Sequence, residues 1–232
     1  MIPLTLAEVA AVTQGTLVGA ADPEQLVDGP VDTDARRLGP GGLYVARVGE
    51  HADGHDFVSQ AVEHGAVAAV VTRPVAGLAN VVVADVQDAF ERLARAVGHR
   101  SSATVVAITG SSGKTSTKDL LGQLLAHLGP TVASAESFNG EIGVPLTVLR
   151  ATEQTRYLVV EMGARGVGHI AHLTGIVRPD ISVVLNVGSA HLGEFGSVEG
   201  IARAKSEIVS ALDEHGLAVL NADDANVRAM AS

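Results

Sequence analysis

A short run of glycines and serines that ends in a lysine and a threonine, residues 110–115 (GSSGKT), is the strongest chemical signal in the sequence. Glycines let backbone N–H groups converge on phosphate oxygens, and a helix that starts at this point adds partial positive charge. The lysine of such a loop reaches the terminal phosphates of a nucleotide, and the hydroxyl after it faces Mg²⁺. The run matches the short pattern T-G-x-x-G-K-T, because Ile108 stands where the longer pattern has its first glycine. A purely structural turn is the alternative.

Two side chains that bind metal ions in other proteins follow predicted strands. Glu161 ends the apolar run at residues 157–161, and His191 comes shortly after the predicted strand at residues 181–187. Ligands of open parallel sheets bind at the carboxyl ends of strands, so both residues are candidate ligands for Mg²⁺, and imidazole also accepts Mn²⁺. A solvent-facing cap is the alternative for Glu161, and a core or surface residue is the alternative for His191.

Lys205 and Asn139 are weaker candidates when only the residues are considered. The chain has three lysines against thirteen arginines, which hints that an amine is required at each lysine. Lys205 lies in an amphipathic helical stretch, which predicts a solvated side chain paired with Glu199 or Glu207. Asn139 lies in a glycine-rich turn that opens a helix, and this position favours a helix cap over a ligand contact.

The surrounding elements predict two domains, residues 1–100 and residues 101–232. The first is a small α/β domain in which Thr5 and Glu8 have the spacing of a capping box at the first helix. From residue 104 onward, apolar strands alternate with helices, as in a doubly wound, mostly parallel sheet covered on both faces. The phosphate-binding loop joins the first of these strands to a helix that begins at Lys114.

Composition excludes several classes of protein. The 232 residues include 16 basic and 26 acidic side chains, a net charge of −10 that disfavours nucleic acid as a partner. Without cysteine, disulfides, thiol catalysis and Cys-ligated zinc are ruled out. No apolar run reaches the roughly 18 residues that span a bilayer, and the N-terminus does not resemble a signal peptide. We therefore expect a cytoplasmic protein without stable membrane insertion.

Taken together, these motifs resemble the Mur ligase family, and within it the branch that joins D-alanyl-D-alanine to UDP-N-acetylmuramoyl-tripeptide. The resemblance covers nearly the whole chain, in six segments that follow the order of that family: residues 32–57, 108–121, 138–149, 159–173, 184–208 and 218–224. The phosphate-binding loop is common to the family and to folylpolyglutamate synthases. The segments at residues 138–149 and 161–166 indicate the D-alanyl-D-alanine branch.

The resemblance implies an N-terminal domain, residues 1–100, that binds the UDP substrate, and a truncated ATP-binding central domain, residues 101–232, without the C-terminal ligase domain. It implies an ATP-dependent amide ligase of peptidoglycan synthesis that works through an acyl phosphate, with ATP and Mg²⁺ (or Mn²⁺) as cofactors. The implied partners are UDP-N-acetylmuramoyl-tripeptide and D-alanyl-D-alanine, and the implied state is a monomer.

The resemblance also implies roles for individual residues. The residues implied to bind ATP are Thr109, Gly110, Ser111, Ser112, Gly113, Lys114, Thr115 and Ser116. The implied catalytic residues are Lys114, Lys205 and His191. The implied metal ligands are Thr115, Glu161, His191 and Lys205, the last as a carbamate. The implied substrate contacts are Thr33, Asp34 and Arg36 for the UDP part, and Asn139.

Some features depart from the family pattern. Ala35 stands where serine is usual, Gly42 where aspartate is common and His169 where glutamate is common. Because the sequence stops before the C-terminal domain, we expect these 232 residues alone to be inactive as a ligase. The alternatives are a sister ligase that adds a single amino acid, and a non-catalytic module that binds a nucleotide or UDP-sugar. A GTPase is disfavoured, since the sequence contains no N-K-x-D motif.

Overall fold

A computed structural model describes residues 1–19, 22–188 and 195–231 of the chain. The chain separates into two compact units. The first unit contains Met1–Ser101 together with Leu149–Thr152, and the second contains Ser102–Val148 together with the chain from Glu153 onward. Nothing in the sequence indicated that Leu149–Thr152 would group with the first unit.

The first unit has a five-stranded sheet in the order β2-β7-β6-β5-β4, in which only the β2–β7 pair is antiparallel. Strands β1 and β3 form a separate antiparallel pair. The strands of this unit are β1 (Leu4–Thr5), β2 (Thr16–Val18), β3 (Leu26–Val27), β4 (Val31–Asp32), β5 (Gly42–Val45), β6 (Ala66–Val71) and β7 (Ala79–Val82). Its helices are α1 (Leu6–Thr13), α2 (Val58–Glu63) and α3 (Val86–Arg100).

The predicted capping box at the start of α1 is confirmed. The Thr5 hydroxyl accepts from the Glu8 N–H at 3.1 Å, and the Glu8 carboxylate accepts from the Thr5 N–H at 2.8 Å. Before α2, which begins at Val58, the chain makes a 3₁₀ turn at Gly54–Phe57. Asp53 caps that 3₁₀ turn by accepting from the His55 N–H at 3.0 Å.

The second unit is built on five parallel strands in the order β12-β11-β8-β10-β9, which confirms the predicted α/β class with a mostly parallel sheet. Its strands are β8 (Thr104–Thr109), β9 (Thr131–Ala133), β10 (Tyr157–Glu161), β11 (Ile181–Val184) and β12 (Leu217–Leu220). Its helices are α4 (Lys114–Ala126), α5 (Gly143–Val148), α6 (His169–Ile176), α7 (Val198–Ser210) and α8 (Ala225–Arg228).

The direction of the crossovers determines where a ligand can bind. The connection through α4 runs from β8 outward to β9, whereas the connections through α5, α6 and α7 run across the sheet in the opposite direction. Because such crossovers are right-handed, α4 lies on one face and the other three helices lie on the opposite face. A crevice therefore opens between the carboxyl ends of the neighbouring strands β8 and β10, where doubly wound sheets bind their ligands.

Strand β12 forms one edge of this sheet and pairs only with β11 among the described strands. Leu217 and Val219 on β12 are paired in register with Ile181 and Val183 on β11 and so lie on the same face as those residues. Ile181 and Val183 pack against the cluster that α4 covers, whereas Leu217 is 55% exposed and Val219 is 46% exposed. The α4 side of the sheet is therefore covered at its centre and open at the β12 edge.

The capping box gives a test of this local structure. We expect Thr5→Ala to lower the free energy of unfolding by about 1 kcal/mol, because the Glu8 N–H loses its acceptor. Glu8→Gln is the control, since a glutamine oxygen still accepts from the Thr5 N–H and only the exposed ion pair with Arg100 is lost. Urea denaturation checks both variants, and equal stability for Thr5→Ala and the unchanged chain would contradict the role of the cap.

Candidate functional site

The loop between β8 and α4 leads into a helix whose first backbone donors have no acceptor among the described residues. Gly113, at the N-terminal end of α4, has φ +80°, which glycine adopts at little cost, and no side chain caps this helix. Within the described residues, the N–H groups at positions 113–116 have no hydrogen-bond acceptor, as expected for the first turn of an uncapped helix. The Lys114 ammonium lies over the loop and donates to the Gly110 carbonyl oxygen at 2.9 Å. The arrangement offers several N–H donors and one cation to a single anionic group.

Asn186 holds the first half of this loop. Its backbone carbonyl oxygen accepts from the Ser111 N–H at 3.1 Å, and its side-chain Oδ1 accepts from the Ser112 N–H at 3.0 Å. Its Nδ2 donates back to the Ser112 carbonyl at 3.2 Å. The predicted strand at residues 181–187 therefore ends earlier, at Val184, because Asn186 pairs with the loop. Asn186 falls near the end of the strand predicted at residues 181–187, and the sequence pattern gave it no role.

Glu161, the last residue of β10, is 1% exposed and is the acceptor at the centre of the site. Its Oε2 accepts from the Thr115 hydroxyl at 2.9 Å, and its Oε1 accepts from Asn139 Nδ2 at 2.8 Å. No ion pair neutralises this carboxylate among the described side chains. A buried charge without a counter-ion is costly, and a hard divalent cation that prefers oxygen ligands suits this donor set. The alternatives of a solvent-facing cap for Glu161 and a helix cap for Asn139 are wrong.

Lys205 of α7 is 5% exposed, so the predicted solvated side chain is wrong. Its predicted partner Glu207 instead accepts from the N–H groups of Gly168 and Ala171 at the start of α6. Burial, and secondarily the charge of Lys114, lowers the pKa of Lys205 to about 8. No described side chain makes a hydrogen bond or an ion pair with its amine.

A cavity of about 250 Å³ brings several of these groups together. Its lining includes Gly110, Lys114, Asn139, His169 and Lys205. The cavity therefore combines the phosphate-binding loop, two lysines and the amide that contacts Glu161. Its cationic lining favours an anionic ligand.

The remaining sequence-predicted residues of the second unit are placed as follows. Thr109 is completely buried, and its hydroxyl has no partner in the described part of the chain. Ser116 is exposed in the first turn of α4. His191 lies outside the described residues. Among the residues that are described, no three His, Cys, Asp or Glu side chains converge as a metal site, and no helix is long and apolar enough to cross a membrane.

In the first unit, the side chains predicted to hold UDP follow β4. Arg36 forms a two-pronged ion pair with Asp34, at 2.9 Å through Nε and 2.7 Å through Nη2. This pairing lowers the pKa of Asp34 to about 2, and the Arg36 side chain remains 73% exposed. Thr33, directly before Asp34, is partly buried.

Two of the departures from the family pattern have structural contexts that explain them. A Cβ at Gly42 would lie 2.8 Å from the carbonyl oxygens of Gly39 and Pro30, so this backbone leaves no room for a side chain. The Ala35 methyl is 3% exposed and packs in the core of the first unit.

Comparison with known proteins identifies the family of the chain from two family models and from similar sequences. The family model described as the Mur ligase middle domain matches residues 108–232, and the model described as Mur ligase family, catalytic domain, matches residues 30–100. The chain belongs to the Mur ligase family. It is 47% identical over 259 aligned residues to a UDP-N-acetylmuramoyl-tripeptide–D-alanyl-D-alanine ligase of Mycobacterium leprae, covering all of this chain and 50% of that protein. The chain thus spans about half the length of the curated relatives that it matches.

Solved Mur ligase structures have the same fold. A crystal structure of MurF from Acinetobacter baumannii superposes with a TM-score of 0.87 at 36% identity, covering 98% of this chain and 51% of that one. MurF from Thermotoga maritima in complex with ADP superposes with a TM-score of 0.75 at 38% identity, covering 86% and 47%. The resemblance inferred from the sequence is confirmed for the family.

The lowered pKa of Lys205 makes folding stability depend on pH. The folded state releases this proton near pH 8, whereas the unfolded chain keeps it until about its ordinary pKa of 10.5. Between about pH 8 and pH 10.5 the unfolded state binds more protons than the folded state, so the free energy of unfolding rises with pH in this range. We expect a rise of roughly 1–3 kcal/mol from this residue, and Lys205→Met should remove it and stabilise the chain at pH 7.

Urea denaturation of both proteins at pH 7 and pH 10 measures the difference, in buffers purged of CO₂ so that the amine stays unmodified. Lys118→Met removes a different buried lysine and serves as the comparison. Parallel pH profiles for the unchanged chain and Lys205→Met would contradict the lowered pKa.

Proposed function

We propose that this chain supplies the UDP-substrate-binding part, residues 1–100, and the ATP-binding part, residues 101–232, of a MurF-type ligase. Such an enzyme joins D-alanyl-D-alanine to UDP-N-acetylmuramoyl-tripeptide during peptidoglycan synthesis. The observation that supports this proposal best is the set of N–H groups at positions 113–116 that have no acceptor in the described part of the chain. They lie next to the Lys114 ammonium and the buried Glu161. The names of the relatives, including the Thermotoga maritima MurF in complex with ADP, support the choice of branch and nucleotide.

In this proposal the loop binds the phosphates of ATP. Thr109, Gly110, Ser111 and Ser112 form the turn, Gly113 and Ser116 offer backbone N–H groups, and Lys114 supplies the cation. Asn186 fixes the turn before the ligand arrives, so little ordering is required on binding. Lys114 exchanges its contact with the Gly110 carbonyl for a phosphate oxygen, which is a stronger, charge-assisted bond.

Mg²⁺ would be held by Thr115 and Glu161, with His191 and a carbamylated Lys205 as further ligands. The bound ion would neutralise phosphate charge during transfer to the substrate carboxylate, and Mn²⁺ would serve as well. The partly neutral amine of Lys205, with its pKa near 8, is suited to react with CO₂, which converts it into an anionic group. Asn139 would contact the substrate or the water shell of the metal while it holds Glu161 in place.

For the other substrate part, we propose that Thr33, Asp34 and Arg36 bind the UDP group. The Asp34–Arg36 ion pair fixes the guanidinium, and its exposed side is free to meet a diphosphate. ATP and a UDP-linked precursor are cytoplasmic metabolites, so the proposal places the protein in the cytoplasm. The proposal also takes the protein to act as a monomer.

Nucleotide binding tests the phosphate and metal sites together. We expect the chain to bind ADP more tightly when Mg²⁺ is present, and Glu161→Gln to lower that gain by roughly 10–100-fold, because a neutral amide is a poor ligand for the ion. Glu153→Gln changes an exposed carboxylate of the same unit and should behave like the unchanged chain. Calorimetric titration of ADP with and without Mg²⁺ measures the effect. Absence of ADP binding, or an unaltered Mg²⁺ effect in Glu161→Gln, would refute the assignment.

Binding of UDP-N-acetylmuramoyl-tripeptide tests the first unit. We expect Arg36→Ala to weaken this binding about 10-fold or more, because a charge-assisted contact with the diphosphate is lost. Arg92→Ala is the matched control, since Arg92 makes a similar ion pair with Asp88 on the surface of α3. Equal affinity for Arg36→Ala and Arg92→Ala, measured by calorimetry, would contradict the UDP assignment.

A further inference from the structure

Lys118, which no role proposed above uses, is the most deeply buried of the three lysines. It lies on α4, one turn after Thr115, and is 2% exposed. Its ammonium donates to the carbonyl oxygens of Ser134 at 2.9 Å and Glu136 at 3.0 Å, and it pairs with Asp119 Oδ1 at 2.6 Å. An ammonium has three donors, so these three acceptors satisfy it completely.

The segment that Lys118 holds, residues 134–139, is also the segment that contacts the site. The Ser134 hydroxyl accepts from the Glu161 N–H at 3.1 Å, and Asn139 Nδ2 donates to Glu161 Oε1 at 2.8 Å. The Ser137 hydroxyl lies 3.3 Å from the Thr115 hydroxyl. Residues 134–139, here called the Asn139 loop, therefore present carbonyl oxygens to Lys118 and side chains to Thr115 and Glu161.

The backbone of the Asn139 loop requires such support. Glu136 has φ +45°, a left-handed conformation that costs a non-glycine residue free energy and persists where its surroundings fix it. The Glu136 carbonyl is one of the two that Lys118 binds. Without the ammonium, two carbonyl oxygens lose their donor and the loop loses the contact that fixes this conformation.

The chemistry of the contact explains why a lysine is present. A compact ammonium can bind two converging carbonyl oxygens and a carboxylate, whereas the planar guanidinium of arginine has a different shape and does not fit the same three acceptors. The chain uses arginine for thirteen of its sixteen basic residues, so a lysine at this position fits a requirement for an amine.

We propose that Lys118 is a positioning residue for the metal site. It fixes the Asn139 loop against α4, so that Asn139 and Ser137 hold Glu161 and Thr115 in the geometry that binds a divalent cation beside the nucleotide phosphates. The proposal deepens the proposed function and rests on it. Lys118 touches neither the nucleotide nor the metal, and its effect passes through the loop.

Lys118→Met tests the proposal, because methionine fills the space of the aliphatic stem and removes all three donors. We expect the affinity for ADP without Mg²⁺ to stay within about 3-fold of the unchanged chain, and the gain in affinity from Mg²⁺ to fall roughly 10–100-fold. Leu125→Ala is the matched control, since Leu125 lies about two turns further along the same helix and packs against the sheet. It should lower stability while the Mg²⁺ effect remains.

A double-mutant cycle separates positioning from general destabilisation. We expect Asn139→Ala to lower the gain in ADP affinity from Mg²⁺. If Lys118 acts through Asn139, adding Lys118→Met to Asn139→Ala should lower that gain little further, so the two effects should not sum. Additive effects, or an undiminished Mg²⁺ gain in Lys118→Met, would overturn the proposal.

Amide hydrogen exchange gives an independent measurement that needs no ligand. Exchange at residues 134–139 should accelerate in Lys118→Met and not in Leu125→Ala, because only the first variant frees the loop. Unchanged exchange in Lys118→Met would overturn the positioning role whether or not ADP binds. Failure of the unchanged chain to bind ADP with Mg²⁺, together with faster loop exchange in Lys118→Met, would instead refute the proposed function and keep the structural part of the inference.

Discussion

The arrangement of the site depends on the two hydrogen bonds that the buried carboxylate of Glu161 accepts. This residue ends a central strand and joins the hydroxyl of Thr115, on the helix after the phosphate-binding loop, to the amide of Asn139 on another loop. Parallel pairing places Glu161 opposite Ile108, two residues before Gly110, so sheet register sets the distance between carboxylate and loop. The chemistry of the site is therefore determined by the alignment of two neighbouring strands, which the apolar core makes rigid.

The structural features that could be predicted from the sequence are those that depend on short, local patterns of residues. Buried parallel strands are continuous apolar runs, and the glycines before Lys114 mark a loop that only a few backbone conformations can build. The capping box at Thr5 is likewise local. Glu161 was identified as a ligand candidate because a charged residue at the end of an apolar strand lies at a ligand-binding edge of the sheet.

The features that could not be predicted depend on contacts distant in sequence. The helical pattern around Lys205 describes one helix, whereas its burial depends on the elements that pack around α7. Asn139 contacts a carboxylate 22 residues away, and Asn186 pairs with a serine 74 residues away. The only sequence signal for a role of Lys118 was the scarcity of lysine in the chain. Periodicity shows which face of a helix is apolar, but it does not show which polar groups a neighbouring loop presents to that face.

The open edge at β12 has a consequence of a different kind. Its outward N–H and C=O groups form a row without a described strand beside them, and Leu217 and Val219 add apolar surface next to that row. An edge of this type is a template for intermolecular strand pairing. This edge therefore favours association of these 232 residues through β12, and a lysine in place of Leu217 or Val219 would oppose it.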